Sequence, residues 1–404
     1  MRMRRPPLWL AAAAVTSGWA AMYTVASWIL FYLFRSPVHD DTRIVYVAAE
    51  AGVRYGWSTI YDMATLRSLS ALFPAGEREI SSALTYDFAP LLAWLFAPLT
   101  AFPEPVAYAV WTALSLAAFV VAWHIAAPYH GLSKLTLLLV ALGLWPVWLS
   151  FYFGQPVVVL IALLAAAWWL CAKERPLAAG AALALATFLK PQDVVLVPVV
   201  LLVAGRYRTV SSWVAGCAVL GIATVLSLGP SGLMGWWQTL RLAQSVATNA
   251  DFTLAHFFGF EPVTYALWLL EGSAALLVAW RRKAETETVF AAGILGTAAV
   301  AFHFHDYDSS ILVLAAWLFL RTSPPMWHRR WLLLGLVSVQ VTSLAPDAVQ
   351  PIVDFATHAP RLIWDAAWLG ILVASSFMGR RALGAATPQA ITPSMAATES
   401  ASVT

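Results

Sequence analysis

Asp40 and Asp41 lie a few residues after a long apolar run, a position where a carboxylate can do chemistry. At a water–membrane boundary a carboxylate can take a proton from a hydroxyl, and partial desolvation raises its basicity. The same pair would serve equally well as caps for a helix beginning near Arg43. Other polar side chains also interrupt apolar sequence: Tyr86 and Asp87, Gln155, Lys190-Pro191-Gln192-Asp193, Asn249, Asp251 and His256, and His303-Phe304-His305-Asp306-Tyr307-Asp308. A charge between apolar helices is costly without a partner, so Lys190 and the 303–308 run call for either a partner or a function. Lys190 could also extend its ammonium to the interface along its own aliphatic stem. His303, His305, Asp306 and Asp308 carry metal-ligand side chains at close spacing.

The elements that must hold these residues follow from composition. Of 404 residues, 61% are hydrophobic and 11% charged, where a soluble chain carries about a quarter charged residues. Together with a mean hydropathy of +0.73, this excludes a soluble globular enzyme and predicts an all-α polytopic membrane protein. The 21 Trp fit that class, because their apolar rings and polar N–H suit the bilayer interface. A net charge of +3 gives no basis for holding nucleic acid. Cys171 and Cys217 lie inside apolar runs and read as small buried hydrophobes rather than a disulfide framework.

Twelve apolar segments are candidate spans: 8–34, 105–127, 134–152, 156–172, 176–189, 194–204, 211–229, 262–280, 288–302, 309–320, 331–345 and 362–378. The first exceeds the roughly 7–15 apolar residues of a signal peptide and is expected to be an uncleaved anchor. Lys and Arg are retained on the cytoplasmic side. The clusters at Arg175, Arg206 and Arg208, Arg281 to Lys283, Arg321, and Arg329 and Arg330 can share that side only if 176–204 turns at Lys190 and 288–320 turns at His303 to Asp308. Residues 88–102, short and holding Pro90 and Pro98, are expected to lie at or dip into the outer face. Outer loops 35–104 and 230–261 would then cap the polar face, and the Ala, Ser, Thr and Pro of 382–404 would form a disordered cytoplasmic tail.

Four motifs carry a resemblance. Asp41-Thr-Arg-Ile-Val-Tyr46-Val-Ala48-Ala49 precedes Gly56 and Ile60-Tyr61-Asp62, and Pro90-Leu-Leu-Ala-Trp-Leu-Phe-Ala-Pro98-Leu follows. Then come Gly154-Gln155, and Arg175-Pro176 through Gly180 to Leu189-Lys190-Pro191. In this order they resemble the GT-C glycosyltransferases of family 87, polyprenyl-phosphate-dependent relatives of α-mannosyltransferases. The chain departs from the family's usual Tyr-Pro-Pro-Leu at Phe88-Ala89-Pro90-Leu91.

The resemblance implies a GT-C fold in which an acid after the first span acts as general base or orients the acceptor. Asp41 aligns with that acid, and Asp40 is its neighbour and competitor. The implied donor is a polyprenyl-phosphate sugar, with a glycolipid or glycan as acceptor. The departing lipid phosphate is an anion that needs cationic stabilisation, which points to Lys190. His303, His305 and Asp306 resemble a His-x-His-acid element of donor-binding turns. Donor binding is favoured there over a metal, so neither a metal nor another cofactor is expected. Gln155, Tyr46 and Tyr86 complete the expected substrate-binding set, although such aromatics also serve as interface anchors. The implied setting is a bacterial inner membrane with the active site on the periplasmic face.

Two other functions compete. A transporter or flippase would gather polarity near the midplane in broken, repeated helices, whereas polarity here gathers at one face. A surface-polysaccharide ligase or polymerase would share the carrier but move a whole glycan.

Overall fold

The computed structural model describes residues 7–34, 40–70, 85–244, 247–341 and 351–377. The tail 382–404 and residues 71–84 of the first long loop lie outside the described residues. Among those described, every regular element is a helix.

Helix α1 (Leu8–Phe34) carries no charge and exposes Leu8, Trp9, Trp19, Tyr23 and Leu30, an apolar surface suited to lipid. It is followed by α2 (Asp40–Tyr55) and α3 (Met63–Ser70). Helix α2 starts at Asp40 itself, three residues before the expected Arg43. It buries Ile44, Val45, Val47, Ala48 and Ala51, and is fixed by a buried ion pair of 2.8 Å from Arg43 Nε to Glu104 Oε1. Helix α4 (Pro90–Phe96) runs on as a 3-10 turn, Ala97–Ala101, and packs on α2. At 7 residues α4 is far too short for a hydrocarbon core of about 30 Å.

The bundle then comprises α5 (Glu104–Ala126), the bent pair α6 (Gly131–Leu142) and α7 (Trp145–Tyr152), α8 (Val157–Ala172), α9 (Pro176–Leu189) and α10 (Leu196–Val203). It continues through α11 (Tyr207–Ala243), α12 (Leu254–Phe258), α13 (Pro262–Arg281), α14 (Thr286–Ala299), α15 (Ile311–Arg321), α16 (Met326–Gln340) and α17 (Pro351–Phe377). Helix α11 breaks at Gly229, whose φ of 61° is left-handed, and Pro230 opens its second half. Residues 230–243 are therefore helical, where the sequence suggested the start of an outer loop.

Among the described residues four helices, α1, α5, α11 and α13, are long and apolar enough to cross a membrane, or five spans if the α6–α7 pair, bent by 63°, counts as one. The chain is a multi-pass membrane protein, but most of the twelve expected spans are shorter helices. The 16 residues of α8 reach only about 24 Å. Enclosure explains the shortness: every residue of α14 except Glu287 is buried, and α8 hides Val157, Leu160, Ile161, Leu164 and Trp168. Such helices meet protein rather than lipid, and tight van der Waals packing holds them.

Small residues set that packing. A Cβ on Gly180 would lie 2.4 Å from the Thr209 carbonyl oxygen, one on Gly216 2.7 Å from Ala184 Cβ, and one on Gly221 3.9 Å from Phe188. The pairing 180–209, 184–216, 188–221 means that α9 and α11 run parallel, so the chain returns between them through 190–203. Arg175 and Arg206 therefore share an end. Arg321 Nε lies 4.0 Å from Glu287 and its guanidinium 4.8 Å from the Trp168 ring, which brings α15's basic terminus to the same end. The polar residues after α9, α14 and before α8 occupy the opposite end.

Candidate active site

At that opposite end, a cavity of about 700 Å³ opens between helix termini. Its lining includes Asp41, Asp87, Gln155, Lys190, Arg241, His303 and His305.

The Asp41 corner is built from a sharp turn. Gly154 has φ 65°, and a Cβ there would lie 2.0 Å from Thr42 Oγ1, so glycine alone fits both the conformation and the space. Thr42 Oγ1 donates to the Phe153 carbonyl (2.8 Å), and Trp111 Nε1 donates to the Gly154 carbonyl (2.8 Å). This holds Gln155, 2% exposed, with its Nε2 donating to Asp41 Oδ2 at 2.6 Å. This hydrogen bond orients the carboxylate. Gln155 Oε1 is buried and accepts no hydrogen bond among the described residues.

Lys190 is 3% exposed where α9 ends. Its ammonium donates to Asp308 Oδ1, lies 3.5 Å from Asp193 Oδ2, and sits 4.7 Å from the centre of the Tyr307 ring. Burial opposes its charge, but Asp193 and Asp308 outweigh that and hold its pKa above the ordinary lysine value. The site thus has two buried carboxylates for one cation, and burial, with Asp308 beside it, pushes Asp193 well above the carboxylate range. Asp308 Oδ2 also accepts from the His305 backbone N–H at 2.9 Å. The cluster ties the 190–193 turn to the 303–308 turn.

His303 and His305 line the cavity with ring centres 5.0 Å apart. Burial pushes His305 down to about 4. Burial and the nearby Lys190 charge also lower His303. Both imidazoles are therefore neutral at pH 7 and offer hydrogen bonds rather than charge. Asp87 is raised by burial, partly opposed by His303. Arg241, near the end of α11, is exposed and makes no ion pair among the described residues. Trp236 and Trp237 supply aromatic surface to the same wall, Trp236 stacked on Tyr61 at 5.9 Å.

Residues 86–305, more than half the chain, match the family model for glycosyltransferase family 87. The chain belongs to glycosyltransferase family 87. No curated protein and no solved structure matches it. The matched segment carries Asp87, Gln155, Lys190, Arg241, His303 and His305, and leaves Asp41 outside it.

In this family 87 glycosyltransferase, the expected residues divide. Asp41, Gln155, Lys190, His303 and His305 come together at the cavity. Tyr46 instead donates to the Phe102 carbonyl at 2.9 Å. Tyr86, fully buried, donates to the Ala89 carbonyl and accepts from the Ala93 N–H. Neither tyrosine reaches the lining: Tyr46 ties α2 to the end of the 86–102 segment, and Tyr86 braces that segment internally. Asp306 is buried away from the cavity surface. Asp40 opens α2, and its side chain lies outside the described residues. Two charged lining residues escaped the expected set: Asp87, noted only as a polar interruption, and Arg241, which the sequence offers as one more arginine in an expected loop. The one available signal for Arg241 was the Trp236-Trp237 pair one helical turn before it.

Proposed function

We propose that this glycosyltransferase moves a hexose, mannose in the simplest case, from polyprenyl phosphate to a hydroxyl of a glycolipid or glycan. The work would be done at the outer, periplasmic face of a bacterial inner membrane, by a GT-C bundle of about twelve spans. The observation that carries the reading is that one cavity is lined both by Asp41, its carboxylate oriented by Gln155, and by Arg241, exposed and without an ion pair among the described residues. The cavity's volume of about 700 Å³ suits a sugar and its phosphate. Its end of the bundle lies opposite the Arg175, Arg206 and Arg321 end, which by charge retention is cytoplasmic.

In this reading the acceptor oxygen attacks the anomeric carbon while its proton passes to Asp41. The bond from that carbon to the phosphate oxygen breaks, and its electrons leave with the lipid. The phosphate changes from a diester monoanion to a monoester approaching a dianion, so charge develops where Arg241 can meet it. Lys190, in the lining but held by Asp308 and Asp193, contributes field. Neutral His303 and His305 would read sugar hydroxyls or phosphate oxygens by hydrogen bonding.

Purified protein in sealed vesicles, supplied with labelled polyprenyl-phosphate mannose and a membrane glycolipid extract, tests this. A new glycosidic product from the lipid donor is expected. Label crossing the bilayer without a new bond, or transfer from a nucleotide sugar alone, would reject it.

A further inference from the structure

A second polar cluster lies outside the cavity lining, between the 251–258 segment and α17. We propose that it is a divalent transition-metal site, suited to zinc, formed by His256, Asp354 and His358. The inference is independent of the transfer reaction.

The three residues each offer one ligand atom, and those atoms all lie within 4.8 Å of one another. Asp354 and His358 are four residues apart on α17, so they share one helix face. His256 comes from a segment about a hundred residues away and meets them there. His256 Nε2 lies 3.0 and 2.9 Å from the two Asp354 oxygens, and His358 Nδ1 lies 3.1 Å from Asp354 Oδ1. Tetrahedral zinc, with bonds of about 2.0–2.1 Å to nitrogen and about 2.0–2.2 Å to oxygen, needs its ligand atoms roughly 3.3 Å apart. His358 Nδ1 also lies 3.0 Å from the Asp354 carbonyl oxygen and 3.1 Å from Thr357 Oγ1, contacts that the ion would replace or that leave the other ring nitrogen as the ligand.

A second observation points the same way. Asp251 Oδ1 lies 3.5 Å from the other ring nitrogen of His256, Nδ1. Metal-ligating histidines characteristically give that second nitrogen to a carboxylate, which fixes the tautomer and aims the first at the ion. The rings of His256 and His358 have centres 5.1 Å apart. With exposures of 21% for His256, 28% for Asp354 and 9% for His358, the site is open enough for an ion to enter. Two imidazoles and one carboxylate form a set that zinc accepts with a fourth position left for water.

The ion would hold the segment to α17 alongside a bond of 2.6 Å from Arg361 Nη2 to the Phe252 carbonyl. The carbonyl of Asn249, two residues before Asp251 and in the cavity lining, accepts the Phe304 N–H at 3.0 Å. Zinc would thereby steady one edge of the cavity without touching substrate.

The test uses the full chain, free of any histidine tag, purified in detergent, stripped with chelator and titrated with zinc chloride. Bound zinc and the thermal midpoint are both read. One zinc per chain and a raised midpoint are expected. Both should be lost in His256→Ala and His358→Ala and kept in His303→Ala. Asp251→Asn should weaken zinc by roughly 10- to 100-fold. If His358→Ala does not fold, Asp354→Asn, which keeps shape, serves in its place. Folded wild type that binds no zinc, zinc kept by the His256→Ala variant, or zinc lost with His303→Ala would each overturn the proposal.

Discussion

Lys190 and Arg241 both border the cavity, yet their charges act differently. Lys190 is enclosed at 3% exposure and compensated by Asp308 and Asp193, whereas Arg241 is exposed on the wall without an ion pair among the described residues. A buried cation with two carboxylates is a structural joint: removing one partner leaves unbalanced charge in low dielectric. An exposed cation facing a cavity contributes little to folding and remains available to an incoming anion. A charge beside a site is therefore not automatically part of its chemistry, and the number of its partners separates the two cases.

The largest effect should come from breaking the joint. Lys190→Met leaves two buried carboxylates without their cation and should cost about 3–5 kcal/mol of stability, seen as a lower thermal midpoint and poor membrane yield. Adding Asp308→Asn to it should recover much of the loss, as for any interacting pair. A stable single variant would show that the cluster does not fasten the two turns.

Arg241→Ala sharpens the contrast from the other side. It should leave the thermal midpoint unchanged and raise the apparent KM for the lipid donor by roughly 10- to 100-fold, the size of a lost hydrogen bond to a charged group. Arg241→Lys should recover part of it. Equal loss of stability in both variants would erase the distinction between the two cations.

A smaller effect separates the neutral wall from the charged one. His305 is held near 4, below its unfolded value of about 6.5. The unfolded chain then binds more protons in that interval, so this contribution is present above pH 6.5 and is lost as pH falls toward 4. Thermal midpoints measured across that range should decline with acidity, and His305→Asn should flatten the slope. An unchanged slope would place the acid sensitivity elsewhere.

Much of this was legible in the chain. Hydropathy located the apolar segments, and the helix boundaries at 176–189 and 8–34 agree with it, because Pro, Gly and charged residues end apolar runs for local reasons. The shared end of Arg175 and Arg206 followed from charge placement alone. The break at Gly229 was not readable, since a Gly-Pro pair signals a turn as readily as a kink between two helices. Nor was the burial of Lys190: its partner Asp308 lies 118 residues away, and nothing local shows that two turns will meet. Tyr46 and Tyr86 looked like sugar platforms because aromatic type was visible, whereas the direction of each side chain depends on long-range packing.

In the proposed mechanism Asp41 accepts the acceptor's proton during transfer from a lipid donor. Asp41→Asn tests it most directly, because the amide keeps the carboxylate's shape and a bond to Gln155 while losing its basicity. With labelled polyprenyl-phosphate mannose at saturation, the variant should fold and bind donor normally, and its transfer rate should drop about 10²- to 10⁴-fold. Transfer at the wild-type rate by the folded variant would contradict the account.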